Sequence, residues 1–95
     1  MPDSIFSVAQ ETVVITGVSG QLGSQYASAF LKGNARVMGL DLTASPSVAA
    51  LTAQFQGRFA FCSCDVTQAG SVQSALLMTR QLFGEPTVLI NNAAI

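Results

Sequence analysis

Histidine is absent from this 95-residue chain and cationic side chains are scarce: four Lys and Arg against five Asp and Glu, for a formal charge of -1. Without a Lys/Arg cluster there is no electrostatic footprint for nucleic acid or an anionic membrane, and neither partner is expected. Cysteine occurs only at Cys62 and Cys64. A one-residue gap matches no structural zinc spacing, and there is no histidine to complete a ligand set, so no metal site is predicted. The two thiols alternate along a strand-like run toward one face, and are expected to be reduced and packed as small buried hydrophobes. No apolar run approaches the roughly 20 residues of a membrane span, and Asp3 and Glu11 stand where a secretory signal carries Lys or Arg. A cytoplasmic location is the expectation.

Apolar residues are what the chain has in quantity. They make up 49% of it, charged residues 9%, and mean hydropathy is +0.48, whereas an ordinary soluble domain is about 25% charged. A chain this short holds one small core at most. Much of its surface therefore expects a cover.

Thr12 to Thr16 (TVVIT) is a continuous β-branched run, which fits a strand buried on both faces. Gln21 to Lys32 places Leu22, Tyr26, Ala29 and Phe30 at helical spacing as the packing face, and Gly33-Asn34 ends the run with residues that tolerate left-handed backbone angles. Ala35 to Leu40 (ARVMGL) is a second strand. Ser45-Pro46 supplies an N-cap and a first-turn proline for a helix to about Gln56. Arg58 to Cys64 is the third strand. A third helix from about Ala69 to Phe83 has Val72, Leu76 and Phe83 as inward candidates and Gly84-Glu85-Pro86 as its stop. Thr87 to Asn91 is the fourth strand. Strands alternating with helices predict right-handed βαβ crossovers, hence an α/β fold with a parallel sheet covered on both faces. No repeat, low-complexity tract or linker interrupts it.

Gly17, Gly20 and Gly23 stand where the first strand gives way to the first helix. Glycines there allow a tight turn and let the backbone approach a pyrophosphate, to which the helix N-terminus offers free N-H groups and a positive dipole end. A glycine-rich turn without a ligand has the same pattern. Asp41, about 20 positions on at the tip of the second strand, can accept hydrogen bonds from adenosine ribose hydroxyls, or serve as a solvated loop acid or cap. Asp65-Val66 ends the third strand at the same sheet edge; Asp65 can instead cap the following helix, a role for which Thr67 competes. Asn91-Asn92-Ala93-Ala94 ends the fourth strand with small residues that permit close approach of a ligand or a tight turn.

With these four motifs in this order, the chain resembles the short-chain dehydrogenase/reductase family over nearly its whole length. The carrying residues are Thr16-Gly17-Val18-Ser19-Gly20-Gln21-Leu22-Gly23, Asp41, Cys64-Asp65-Val66-Thr67 and Asn91-Asn92-Ala93-Ala94-Ile95. The resemblance implies a Rossmann-type doubly wound sheet, strand order 3-2-1-4, binding NAD(H) or NADP(H). It implies Gly17, Gly20, Leu22 and Gly23 around the pyrophosphate, Asp41 on the ribose, Asp65 and Val66 against the adenine, and Asn91 and Ala93 lining the cofactor. Ser19, Gln21 and Leu42 complete the predicted cofactor-binding set. NAD is expected over NADP, because Asp41 would repel a 2'-phosphate and no Lys or Arg lies between Val37 and Gly57 to pair with one.

Two positions depart from the family's usual pattern. The middle glycine usually falls one residue later, and Gly20 has the spacing of extended members such as sugar-nucleotide epimerases and dehydratases. Ala94 stands where Gly is common, with a small backbone shift expected. The family's Tyr-x-x-x-Lys is missing: the one tyrosine, Tyr26, has Phe30 four residues on and is read as helix packing, so no catalytic residue is assigned. Residues 1–95 are accordingly expected to be the N-terminal part of a single dinucleotide-binding domain, stopping after strand four. The expected function is the cofactor-binding half of an oxidoreductase acting on a small alcohol or carbonyl substrate, homo-oligomeric at full length. The alternatives are the same half of a nucleotide-sugar epimerase or dehydratase, and a non-catalytic dinucleotide sensor.

Overall fold

A computed structural model describes residues 8–93. Seven elements alternate along it: β1 (Thr12–Thr16), α1 (Gln21–Lys32), β2 (Arg36–Asp41), α2 (Pro46–Gln54), β3 (Phe59–Ser63), α3 (Ala69–Leu82) and β4 (Val88–Asn91). The strands form one sheet in the order β3-β2-β1-β4, all neighbours parallel. This is the expected doubly wound arrangement. Its register brings Thr16 level with Leu40 on one side and Asn91 on the other, so the carboxyl ends of three strands meet at one edge.

All five residues of β1 are buried. Its β-branched side chains alternate between two cores, each fully buried Val or Ile contributing about 1.5–3 kcal/mol. Val13 and Ile15 join Ala27 and Leu31 of α1 and Val48 and Leu51 of α2 on one face. Val14 joins Met38, Leu40, Cys64 and Ala75 of α3 on the other. Among the described residues, no helix is long and apolar enough to cross a membrane.

The inward face of α1 differs from the expected one. Gly23, Ser24, Ala27 and Leu31 are buried, while Leu22 is 51% and Tyr26 38% exposed. Phe30 packs at the margin of the core. The cause is how close the helix lies to the glycine turn: a Cβ at position 23 would stand 2.3 Å from the Gly17 carbonyl oxygen. Only a stripe of small residues can face the sheet there, and the larger Leu22 and Tyr26 are rotated outward. On α3 the centre likewise falls on small residues, Ala75 and Thr79, with Val72 and Phe83 half-buried beside them.

The caps mostly follow local chemistry. Ser45 accepts a hydrogen bond from the Val48 amide, with Pro46 in the first turn, although α2 stops at Gln54. After α1 it is Asn34, at φ 71°, that takes the left-handed conformation. Gly33 keeps a negative φ and instead makes room for Val8, whose methyl would lie 2.5 Å from an added Cβ.

Candidate functional site

The turn after β1 asks something different of each glycine. Gly17 has φ 69°, and a Cβ there would meet the Ala93 Cα at 2.9 Å, so position 17 is barred to other residues by both conformation and space. Gly23 is needed for close packing. Gly20 has an extended backbone as the N-cap of α1, and its added Cβ would make only an ordinary 3.6 Å contact. The space in front of Gly20 is open. No acidic residue or side-chain cap occupies the first turn of α1, and among the described residues the Gln21, Leu22 and Gly23 amides have no acceptor. Such a helix end suits an anion.

Beside the turn lies a cleft of about 230 Å³ that brings together Gly17, Asp41, Leu42, Asp65, Val66 and Ala93 from the predicted set, with Leu40, Cys64 and Thr67 completing its lining. The remaining predicted residues lie outside it. Ser19, Gly20, Leu22 and Gly23 form the turn and the first turn of α1, and Gln21 lines an open groove between α1 and α2. Asn91 borders an apolar hollow with Val14, Leu76 and Leu89, its side-chain oxygen accepting from Thr16 Oγ1 at 3.2 Å. Ala94 and Ile95 lie outside the described residues.

Both carboxylates of the cleft are engaged locally. Asp41 Oδ2 accepts from the Ser19 amide at 3.0 Å and Oδ1 from the Leu42 amide at 2.8 Å. Asp65 Oδ1 accepts from the Thr67 hydroxyl at 2.6 Å and the Thr67 amide at 3.0 Å. These two bonds, the hydroxyl's first, hold the Asp65 carboxyl below its ordinary range. Asp65 thus closes a turn ahead of α3, while Gln68 is the N-cap of that helix. Cys64 forms part of the cleft wall and is buried; Cys62 is half-buried and both thiols are free. Burial, and then neighbouring Cys64, push the Cys62 thiol up.

Four residues that support this edge were given no role of their own from the sequence. Thr16 Oγ1 accepts from the Asn92 and Ala93 amides at 2.9 and 3.0 Å. Asn92 Nδ2 donates to the Gly17 carbonyl at 3.2 Å. Ser24 Oγ donates to the Val18 carbonyl at 2.7 Å. Gly39 leaves room for Val18, whose methyls would lie 2.8 Å from a Cβ at position 39. A glycine inside an apolar strand is a signal for such close approach; the others reveal themselves only when β4 and α1 are in place.

A family model described as short chain dehydrogenase matches residues 11–95. The chain belongs to the short-chain dehydrogenase family. It is 32% identical over 96 residues to D-threitol dehydrogenase of Mycolicibacterium smegmatis, an alignment covering 98% of this chain and 36% of that protein. The chain spans about a third of the length of the curated relatives it matches, 36% in each of two. It superposes on 3-ketoacyl-(acyl-carrier-protein) reductase from Brucella melitensis, complexed with NADH, with TM-score 0.84 and 25% identity over 94% of this chain and 36% of that one. The C-domain of a bacterial malonyl-CoA reductase with NADP shares the fold, with TM-score 0.83 and 24% identity over 94% of this chain and 15% of that one. These short-chain dehydrogenase relatives are dehydrogenases and reductases. Tyr26, exposed on α1 with Phe30 four positions on, does not form the family's Tyr-x-x-x-Lys.

Proposed function

We propose that this chain binds NAD as the cofactor-binding part of an oxidoreductase that moves a hydride between the nicotinamide and a small alcohol or carbonyl compound. The observation that carries the reading is the position of Asp41, which joins the glycine turn to the cleft with no Lys or Arg between Val37 and Gly57. When bound, the cofactor supplies the hydride chemistry. The chain's own residues hold and orient it.

The open amides of Gln21, Leu22 and Gly23, with the space before Gly20, fit a pyrophosphate. Gly17 and Ser19 form the turn that presents them. Asp41 keeps acceptor capacity for ribose hydroxyls, since each carboxylate oxygen has two lone-pair sites and uses one. Leu42, 63% exposed at the rim, and Val66 are apolar walls for an adenine, with Asp65 beside them. The cleft is below the roughly 300 Å³ of a whole-ligand pocket, as suits one half of a dinucleotide. Ala93 and Asn91 continue the line of the site from β4. The same reading takes the whole protein as a cytoplasmic homo-oligomer.

Calorimetric titration of this chain with NAD and with NADP tests the proposal. Tighter binding of NAD is expected; tighter binding of NADP, or no binding of either, overturns it.

A further inference from the structure

We propose that Asp41 is also a positioning residue for the glycine turn, its carboxylate fixing the Ser19 amide so that the turn is set before any nucleotide arrives. The inference rests on the dinucleotide reading above. Ser19, in the turn, and Asp41, the last residue of β2, lie 22 residues apart, and their hydrogen bond is 3.0 Å long. It is the middle of three links between the turn and the end of β2. The Val18 amide donates to the Leu40 carbonyl at 3.1 Å, and the Ser19 hydroxyl donates to the Thr43 carbonyl.

Of the three, the Asp41 link is the charge-assisted one, and such bonds are roughly twice as strong as neutral ones. It also assigns the turn's amides to different tasks. The Ser19 N-H is turned to Asp41, leaving those of Gln21, Leu22 and Gly23 for the anion. Because Oδ1 holds the Leu42 amide at 2.8 Å, one carboxylate ties the turn, the end of β2 and the cleft rim together. The consequence concerns cofactor choice. Replacing Asp41 by a neutral residue removes its repulsion of a 2'-phosphate but also releases the turn, so that change alone weakens both cofactors.

The test separates hydroxyl recognition from positioning with dideoxyadenosine diphosphate, a probe that has the diphosphate and adenine but no ribose hydroxyl. Its affinity for the 95-residue chain and for Asp41→Ala and Asp41→Asn is measured by calorimetry, alongside amide hydrogen exchange at Ser19, Val14 and Ile15. Asp41→Ala is expected to bind the probe about tenfold more weakly and to exchange faster at Ser19, with Val14 and Ile15 still protected. Asp41→Asn is expected to fall between, because it keeps a single, uncharged oxygen where the carboxylate turns one oxygen to each of the two amides. Unchanged probe affinity in Asp41→Ala, or unchanged exchange at Ser19, overturns the proposal. Should Asp41→Ala lose protection in β1 as well, Asp41→Asn decides by the same two readings. A wild-type chain that binds neither NAD nor the probe rejects the dinucleotide reading, while the Ser19 exchange still decides whether Asp41 holds the turn.

Discussion

The side-chain amide of Asn92 donates to the carbonyl oxygen of Gly17 across 75 residues of sequence, at 3.2 Å. It pins the segment leaving β4 to the first residue of the glycine turn. Asn92→Ala removes this link and leaves the Gly20 amide as that carbonyl's remaining donor, at a cost of about 1 kcal/mol. In a domain of this size the melting temperature should fall by roughly 4–8 °C. Thermal denaturation followed by circular dichroism checks this, and an unchanged midpoint counts against the link.

Gly20 and Gly23 should fail in different ways. Gly23→Ala drives a methyl to 2.3 Å from backbone oxygen, and overpacking of that kind costs about 1–3 kcal/mol. Gly20→Val meets little protein and should mainly obstruct NAD. Melting curves and NAD titrations of both variants test the contrast; equal destabilisation with binding retained in each contradicts it.

Thr67→Val should raise the Asp65 carboxyl toward its ordinary value of 3.8 by removing the larger of two stabilising hydrogen bonds. The sign follows from linkage. A depressed folded value stabilises the fold above the unfolded value, and the contribution is lost as pH falls through the folded one. The acid transition of wild type below about pH 3.8 should therefore be shallower in Thr67→Val. NMR titration of the Asp65 carboxyl gives the direct reading.

Leu89 is 65% exposed on β4, a strand with one hydrogen-bonded neighbour among the described residues. Apolar edges invite strand addition, so this chain by itself should self-associate, and Leu89→Lys should shift it toward monomer by light scattering. Without a Tyr-x-x-x-Lys it should bind NAD yet show no dehydrogenase activity, as positioned acid-base groups typically contribute 10² to 10⁴ in rate. Turnover of an alcohol by this chain alone overturns that expectation.

Element order and the edge where the motifs gather were legible in the residues themselves, and the sheet order followed from the family resemblance that those motifs carry. TVVIT can be buried on both faces only within a covered sheet, glycines must mark the turn after it, and Asp41 has to fall at a strand tip whatever packs around it. Periodicity could not say which stripe of α1 faces inward, because Leu22 and Tyr26 outweigh Gly23 and Ala27 in hydrophobicity and lose only when the backbone of the turn comes within 2.3 Å of where a side chain would begin. The roles of Asn91 and Asn92 were likewise indistinguishable along the chain. One meets Thr16 beside an apolar hollow and the other meets Gly17, a division set by β4 lying parallel to β1 in a single register. The engagement of Asp41 with Ser19 has the same origin: a hydrogen bond from a turn to a distant strand end depends on where the strands place their ends, and that placement comes from the packing of the whole sheet.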